Sequence, residues 1–182
     1  MPIRVQQRTD IPATGGPSGA GPLPVPMIEQ EQTEWCWAGC AEMVLKHLGK
    51  AGVAQCDFAN FLFSQSSCCT TPDSSACNSS CEIDDVSLVY GNWSVQSSLA
   101  RTALTFDVLE QEVAALRPVE VGYIWNGGGG HLALVVQTAT SDGQPLVVVN
   151  DPKFGSHIVQ YSELLAAYGL GIWALSWTGI GS

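Results

Sequence analysis

The sequence is poor in basic residues and in charge of either sign. Only 7 of its 182 residues are Lys or Arg, against 17 Asp or Glu, and the formal net charge is −10. An acidic surface repels phosphate groups, so we expect binding neither to nucleic acid nor to anionic membrane surfaces. Charged residues make up 13% of the chain. That share is about half the usual one and argues against coiled coils and long solvated helices.

Long apolar runs are also missing. None approaches the ~18 to 20 residues that a membrane-spanning helix needs. The first ten residues contain no apolar segment of the kind found in a secretory signal peptide. Hydrophobic residues make up 46% of the chain, which is enough to fill one core at this length. We therefore expect a soluble, monomeric, acidic protein with a single folded domain.

Cysteine, by contrast, is abundant. The chain has seven, at positions 36, 40, 56, 68, 69, 77 and 81. Because seven is odd, at least one thiol stays outside any set of intramolecular disulfides. Disulfides favour a secreted or extracytoplasmic protein, here exported by a route without a visible cleavable signal peptide. Structural zinc and reduced core cysteines are the alternatives, although the paired CxxC spacing typical of zinc sites is absent and we expect no metal or cofactor.

The apolar pattern predicts helices in the first half and strands in the second. Residues 1–27 are rich in Pro and Gly, which predicts a flexible tail or possible pro-segment before a folded domain at 28–182. Helices are predicted at 35–48, 54–63, 82–90, 107–117 and 162–168, with a cysteine-rich loop at 64–81. Strands are predicted at 119–125, 131–138, 146–150, 158–161 and 172–177. This order indicates an α+β fold with an antiparallel sheet.

Cys36 stands at the predicted start of the first long helix. Unpaired N–H groups and the helix dipole stabilise an anion there, so a thiol at this position is a candidate nucleophile. Gln30, six residues upstream, could donate its amide to an oxyanion at the same point; Gln32 fits that role less well. The alternative is that Cys36 pairs with Cys40 or another cysteine in a non-enzymatic, disulfide-stapled binding module.

A thiolate nucleophile needs a base, and the chain offers three histidines. His47 lies eleven residues past Cys36 on the same predicted helix, roughly 16 Å along its axis, and is out of reach. His157 remains open as a candidate. His131 begins a predicted strand directly after four glycines, which leave the approach to its ring open. We therefore favour His131.

The hairpin that follows His131 determines which acceptor lies beside its ring. A turn near Ser141 pairs His131 with Asp151, whereas a turn at Asp142–Gly143 shifts the partner by three residues. A carboxylate beside the ring fixes the tautomer and stabilises the imidazolium. We predict Asp151, with Asn150 as the alternative, because neighbouring strand residues point to opposite faces and only one can serve.

These residues, in this order, resemble the motifs of papain-like cysteine proteases. The matching elements are Gln30-x5-Cys36-Trp37-Ala38, Gly130-His131 before an apolar strand, and Asp151-Pro152. The closer likeness is to bacteriocin-leader-processing peptidases and to secreted effector proteases of bacteria, and it covers residues 24–178. The resemblance implies a papain-like fold whose helical half carries the nucleophile and whose sheet carries His and Asp. It implies Cys36 as nucleophile, His131 as base, Asp151 as its partner and Gln30 as oxyanion donor.

The implied function is thiol-dependent endopeptidase activity on a protein or peptide substrate, through a thioester. An amidase, deamidase or acyltransferase would use the same chemistry on the same fold and is the main alternative, beside the binding module. The other six cysteines would form up to three disulfides, and the short distance between adjacent Cα atoms disfavours a Cys68–Cys69 bond. Trp173 and Trp177 are predicted to lie in the core rather than over His131.

Overall fold

The computed structural model describes residue 19 and residues 21–181, and everything below concerns these residues. Its helices are α1 (Cys36–His47), α2 (Gln55–Leu62), α3 (Ile83–Asn92), α4 (Phe106–Ala114) and α5 (Tyr161–Leu165), followed by a 3₁₀ turn at Ala167–Gly169. Its strands are β1 (Gln96–Ala100), β2 (Val119–Trp125), β3 (Gly130–Ser141), β4 (Gln144–Asp151), β5 (Gly155–Gln160) and β6 (Gly171–Gly181). The predicted α+β class is confirmed.

The strands form one antiparallel sheet in the order β1-β6-β2-β3-β4-β5. Strands β2 to β5 are the predicted meander. The last strand, β6, lies between β1 and β2, so β1 and β5 form the two edges of the sheet. Strand β1 was not predicted, because its sequence Gln-Ser-Ser-Leu-Ala is mostly polar and it pairs only at the edge of the sheet.

The boundary predicted for a flexible tail at residue 27 is wrong for the residues just before it. Leu23 and Val25 are buried, while the prolines that alternate with them are exposed. The Leu23 N–H donates to the carbonyl of Val136 at 3.0 Å, and Asn150 Nδ2 donates to the Val25 carbonyl at 3.1 Å. Proline holds this segment extended, so every second residue faces the sheet. Of the possible pro-segment predicted at 1–27, residues 1–18 and 20 lie outside the described residues.

The turn of the β3–β4 hairpin lies at Asp142–Gly143. Ser141 and Gln144 are Cα partners, and the two residues between them both have positive φ, 50° and 74°. A two-residue turn of this kind matches the twist of antiparallel strands, and Asp-Gly is among its favoured sequences. The alternative turn near Ser141 is therefore wrong.

The pairing of His131 directly opposite Asp151 is also wrong. A bulge between Val135 and Gln137 shifts the register of β3 on β4, and the ladder ends at the Leu134–Asn150 pair. His131 lies beyond that end and has no Cα partner in β4. Its side chain nevertheless contacts that of Asp151, which lies at the end of β4 where the chain turns into β5.

Among residues 19 and 21–181, no helix combines the length and the apolar character needed to cross a bilayer.

Candidate active site

A cleft of about 500 Å³ separates the helical half from the sheet. One wall comes from the start of α1, including Cys36 and Trp37, and from residues 80–83 and Val86 at the start of α3. The opposite wall comes from β2, β3 and β6 and includes His131. The candidate nucleophile and the candidate base, 95 residues apart in the sequence, therefore face the same space.

Cys36 is the first residue of α1 and is half-buried. The N–H groups of the first helical turn have no intrahelical acceptor, so they form an electropositive point beside the thiol. The residue before it, Trp35, and the residue after it, Trp37, are both buried. Cys36 is therefore carried on a segment whose two neighbouring side chains are fixed in the core, and it lines the cleft itself.

The cysteine-rich loop holds these two tryptophans in place. Trp35 Nε1 donates to the carbonyl of Cys77 at 2.8 Å, and Trp37 Nε1 donates to the carbonyl of Ser79 at 3.2 Å. The Glu34 N–H donates to Asn78 Oδ1 at 3.0 Å. These acceptors lie 42 to 44 residues along the chain from their donors. The loop thus forms a rigid support behind the segment that carries Cys36.

Two disulfides cross-link this loop, Cys56–Cys69 and Cys68–Cys77. Cys36, Cys40 and Cys81 are free thiols. The adjacent cysteines 68 and 69 bond to different partners, as their spacing required. The group formed by Cys56, Asp57 and Cys69 has metal-like spacing, but both sulfurs are consumed in a disulfide and neither is available as a thiolate ligand.

His131 is hydrogen-bonded to Asp151. The distance between His131 Nε2 and Asp151 Oδ1 is 2.8 Å, and the carboxylate side chain is fully buried. Oδ1 also accepts the backbone N–H groups of Lys153 at 2.8 Å and Phe154 at 3.0 Å. Asn150, the alternative partner, points away and donates to the carbonyl of Val25. Asp151 is thus the residue that contacts the imidazole.

The environment of His131 favours its charged form. Burial alone would lower the pKa of His131, but hydrogen bonds to Asp151 and Cys36, with the charges of both, outweigh burial and raise the pKa to about 9. Because Nε2 is bound to Asp151, Nδ1 is the nitrogen left for the thiol of Cys36. The three side chains therefore form a continuous row with the imidazole in the middle.

Aromatic rings enclose His131. Trp125 and Tyr123 lie nearly parallel to the imidazole, with centroids at 6.2 and 6.4 Å, and Phe154 meets it edge-on at 5.9 Å. The register predicted from a turn at Asp142–Gly143 places Phe154 opposite His131, and Phe154 is indeed a neighbour of the imidazole. The sequence did not predict the two rings from β2. Trp173 and Trp177 are buried as predicted, although Trp177 also lines the cleft.

The loop before Cys36 is tied to the turn that carries Asp151. The Gln30 N–H donates to the carbonyl of Pro152 at 2.8 Å. Gly39, on α1, is approached so closely that a Cβ atom there would lie 2.8 Å from Cβ of Pro152. The glycine therefore allows the Asp151–Pro152 turn to pack directly on the helix that begins with Cys36.

The side chain of Gln30 is occupied within its own loop. Its Nε2 donates to the carbonyls of Gln32 at 2.7 Å and Thr33 at 2.8 Å, while Oε1 is buried without a partner among the described residues. In this arrangement neither amide hydrogen points to Cys36. Of the two other histidines, His47 contacts the carbonyl of Leu116 and His157 contacts Tyr168.

A buried carboxyl group lies behind the site and was not predicted. Glu120 on β2 is fully buried and accepts the hydroxyl of Tyr90 at 2.6 Å. Burial raises its pKa to about 8, although hydrogen bonds from Tyr90 and Cys40 oppose this. Cys40 lies one helical turn after Cys36, and burial raises its pKa as well. The sequence does not predict the burial of Glu120, because a single glutamate within an apolar strand is expected to face solvent.

Comparison with known proteins identifies the family to which the chain belongs. The family model described as "Papain-like cysteine protease AvrRpt2" matches residues 20–168. No curated protein sequence matches the chain significantly.

Two solved structures are similar in fold. A double glycine motif protease from an AMS/PCAT transporter, solved with its leader peptide, shares 18% identity with a TM-score of 0.53, over 89% of this chain and 95% of that one. The peptidase domain of Streptococcus ComA, a bi-functional ABC transporter, shares 11% identity with a TM-score of 0.59, over 85% and 97% respectively. At these identities the likeness concerns the fold alone. The family match and the papain-like fold together confirm the expected resemblance: the chain belongs to the papain-like cysteine protease family of AvrRpt2.

Proposed function

We propose that this thiol peptidase hydrolyses peptide bonds through a triad of Cys36, His131 and Asp151 and a thioester intermediate. The observation that carries the proposal is the position of His131, which contacts Asp151 at 2.8 Å on one side and faces Cys36 across the same cleft on the other. A base held between a nucleophile and an orienting carboxylate is the arrangement that activates a thiol.

The reaction begins with a thiolate–imidazolium pair. The Cys36 sulfur attacks the carbonyl carbon of the scissile bond, and the carbonyl electrons move to oxygen. His131, through Nδ1, then gives its proton to the leaving amine as the C–N bond breaks, which leaves an acyl thioester on Cys36. Water attacks the thioester, His131 accepts a proton from it, and the thiolate departs. Asp151 orients the imidazole through its hydrogen bond and stabilises the imidazolium.

The oxyanion is assigned to two donors, the backbone N–H of Cys36 and the side-chain amide of Gln30. The N–H of Cys36 belongs to the helix terminus and has no intrahelical acceptor. Gln30 Nε2 must release the carbonyl of Gln32 or Thr33 to take part. Such tightening in the substrate complex is common, since catalytic hydrogen bonds are often misaligned in free enzymes.

The Gln30 assignment is tested by replacing Gln30 with Ala. A loss of one oxyanion donor costs about 10²- to 10³-fold in kcat with little change in KM. A kcat within twofold of the wild type would remove Gln30 from the oxyanion site and leave the backbone donor alone.

The proposal itself is tested with Cys36→Ala and a matched control, Cys81→Ser. Cys81 is a free thiol that lines the same cleft. Cleavage of denatured casein and of a quenched peptide library should be lost in the Cys36 variant and retained in the control. Equal activity of Cys36→Ala and wild type would refute the triad. Release of ammonia without chain scission would instead identify a deamidase that uses the same thioester chemistry.

We further propose that the protein works in an oxidising, extracytoplasmic environment. The support is the pair of disulfides in the loop behind Cys36, since such bonds persist in oxidising compartments. Mass spectrometry of protein collected from the culture supernatant, without reductant, should find both. Recovery of the protein only from the cytoplasm, with all seven cysteines reduced, would contradict this proposal.

A further inference from the structure

A chain of hydrogen bonds runs behind the imidazole of His131. The hydroxyls of Tyr123 and Tyr168 lie 3.4 Å apart, and the hydroxyl of Tyr168 lies 2.8 Å from Nε2 of His157. Nδ1 of His157 lies 3.0 Å from the carbonyl of Gly155. None of these four residues has a role in the triad, yet two of them, Tyr123 and His157, are buried.

The acceptor at one end determines the direction of every bond in this chain. The carbonyl of Gly155 can only accept, so Nδ1 of His157 carries a hydrogen, and in the tautomer with its hydrogen on Nδ1 the other nitrogen, Nε2, is the acceptor. Tyr168 therefore donates to His157, and its oxygen accepts the hydroxyl of Tyr123. Each buried donor is satisfied, and removal of the Tyr168 hydroxyl would leave partners on both sides without a bond.

Both ends of the chain reach the surroundings of His131. At one end, Tyr123 is the Cα partner of His131 across β2 and β3, and its ring lies nearly parallel to the imidazole. At the other end, Gly155 is the Cα partner of Asp151 across β4 and β5. Gly155 closes the turn whose backbone N–H groups bind the Asp151 carboxylate. The hydrogen-bonded residues thus connect Tyr123, the cross-strand neighbour of His131, to the turn that carries the acceptor of the imidazole.

The backbone around Tyr168 is held in an unfavourable conformation. Ala167 and Tyr168 both have positive φ, 42° and 59°. For residues other than glycine this region costs about 1 kcal/mol or more per residue and persists only where the surroundings impose it. The consequence is a tight 3₁₀ turn that points the Tyr168 hydroxyl inward, between Tyr123 and His157.

We propose that Tyr168 and His157 are positioning residues, which fix the orientation of the His131 ring relative to Asp151. The proposal rests on the function proposed above. The two residues do not touch the substrate; they act through Tyr123 at one end and through the Asp151 turn at the other. Sequence alone left His157 open as the catalytic base, and the structure assigns it this supporting role instead.

The test is Tyr168→Phe, which removes only the hydroxyl. The matched control is Tyr161→Phe. Tyr161 is also half-buried, and its hydroxyl donates to the backbone carbonyl of Leu104 at 2.6 Å, but it takes no part in the hydrogen bonds between Tyr123, Tyr168 and His157. We expect kcat to fall about tenfold in Tyr168→Phe with KM within twofold, and the alkaline limb of the pH–rate profile to shift. The control should show neither change. Unaltered kcat and pH profile in Tyr168→Phe, or equal losses in the control, would overturn the proposal.

A second measurement separates this proposal from the proposed function. The titration of His131, followed by NMR in the Cys36→Ala background, does not require turnover. A shifted titration in Tyr168→Phe supports the positioning role even if no peptide is cleaved, and an unshifted one overturns it even if the triad is right.

If Tyr168→Phe fails to fold, the proposal is tested at the other end of the same hydrogen bond, with His157→Leu and His157→Gln. Leucine removes the acceptor for Tyr168 and should behave like Tyr168→Phe. Glutamine restores a side-chain acceptor, and should recover part of the lost kcat. Equal kcat in both His157 variants and in wild type would contradict a role for the hydrogen-bond chain.

Discussion

Nε2 of His131 lies 2.8 Å from Oδ1 of Asp151, whose side chain is fully buried. Oδ1 is shared with two backbone N–H groups, whereas Oδ2 has no hydrogen-bond partner among the described residues. The positive charge of the imidazolium compensates the buried carboxylate, one of whose oxygens has no donor. The two groups are therefore coupled, and in the proposed mechanism a change in either should alter both the rate and its pH dependence.

Asp151→Asn should reduce activity and move its pH dependence. Hydrogen bonds to charged groups contribute about 1.5 to 3 kcal/mol, so kcat/KM should fall on the order of 10- to 100-fold. The pKa of His131 is raised to about 9 in the folded protein, so the imidazolium is lost as pH rises through that value. The wild type should lose activity on this alkaline limb, and the limb should move to lower pH in the variant.

The check is a pH–rate profile of both proteins with the thermal stability of each measured at pH 7. Asp142→Asn serves as the control, because it makes the same change at an exposed carboxyl in the β3–β4 turn. An Asp151→Asn enzyme with wild-type rate and an unmoved alkaline limb would show that the carboxylate is structural only.

Brief treatment with iodoacetamide at about pH 5.5 should label Cys36 alone. Burial raises the pKa of both Cys40 and Cys81, so these thiols stay protonated and unreactive in the native protein. Peptide-resolved mass spectrometry without reductant reads out each position. Labelling of Cys81 in preference to Cys36, or labelling of neither before unfolding, would contradict an activated nucleophile at residue 36.

Glu120 should make the protein less stable as pH rises from about 4.5 to about 8. The pKa of this buried carboxyl is raised to about 8, so the native state holds a proton that the unfolded chain releases near the ordinary value of 4.5. Stability is therefore fully present below that lower value and declines through the interval, by a few kcal/mol at most. Glu120→Gln should flatten the decline.

The measurement is the free energy of unfolding by urea at several pH values between 4.5 and 6.5. In this range His131 contributes little, because its pKa difference acts mainly between about 6.5 and 9. Identical pH dependence of wild type and Glu120→Gln would show that Glu120 does not keep its proton in the folded state.

Loss of the Cys68–Cys77 disulfide should lower the stability of the protein and loosen the loop that packs behind Cys36. In the chain-entropy account, a loop of about ten residues contributes about 2 to 3 kcal/mol. The carbonyl of Cys77 accepts the indole N–H of Trp35, so loosening this loop should also disturb the segment before Cys36. A double Cys68→Ala, Cys77→Ala variant should have a lower melting temperature and a reduced kcat. If the melting temperature falls while kcat stays unchanged, the loop stabilises the fold without positioning Cys36.

Local features of the sequence predicted many of the elements. The spacing of apolar residues predicts a first helix at 35–48, and α1 spans Cys36–His47. Strand β2 has the predicted limits, and Gly49 ends the first helical segment with φ of 74°. These features depend on hydrogen bonds and side-chain periodicity within a few residues. They are therefore visible without knowledge of the rest of the chain.

Register was harder to predict, because it depends on single residues. The bulge between Val135 and Gln137 changes which residues face each other across the hairpin. A slip of one residue transfers a whole strand to the opposite face. Counting from the Asp142–Gly143 turn placed Phe154 opposite His131, but it could not choose between Asp151 and Asn150, and it could not identify Trp125 as a neighbour of His131.

Residue types and their local spacing establish the chemistry: a thiol at a helix start, a histidine at the head of an apolar strand, a carboxylate before a proline, and too many cysteines for a reduced protein. The folded chain establishes the partners: which acceptor meets His131, which cysteines are bonded, and that Glu120 is buried. The reason is physical. Residue type and short-range spacing act within one or two turns, whereas contacts between residues 20 to 125 apart depend on how turns and bulges sum along the whole sheet.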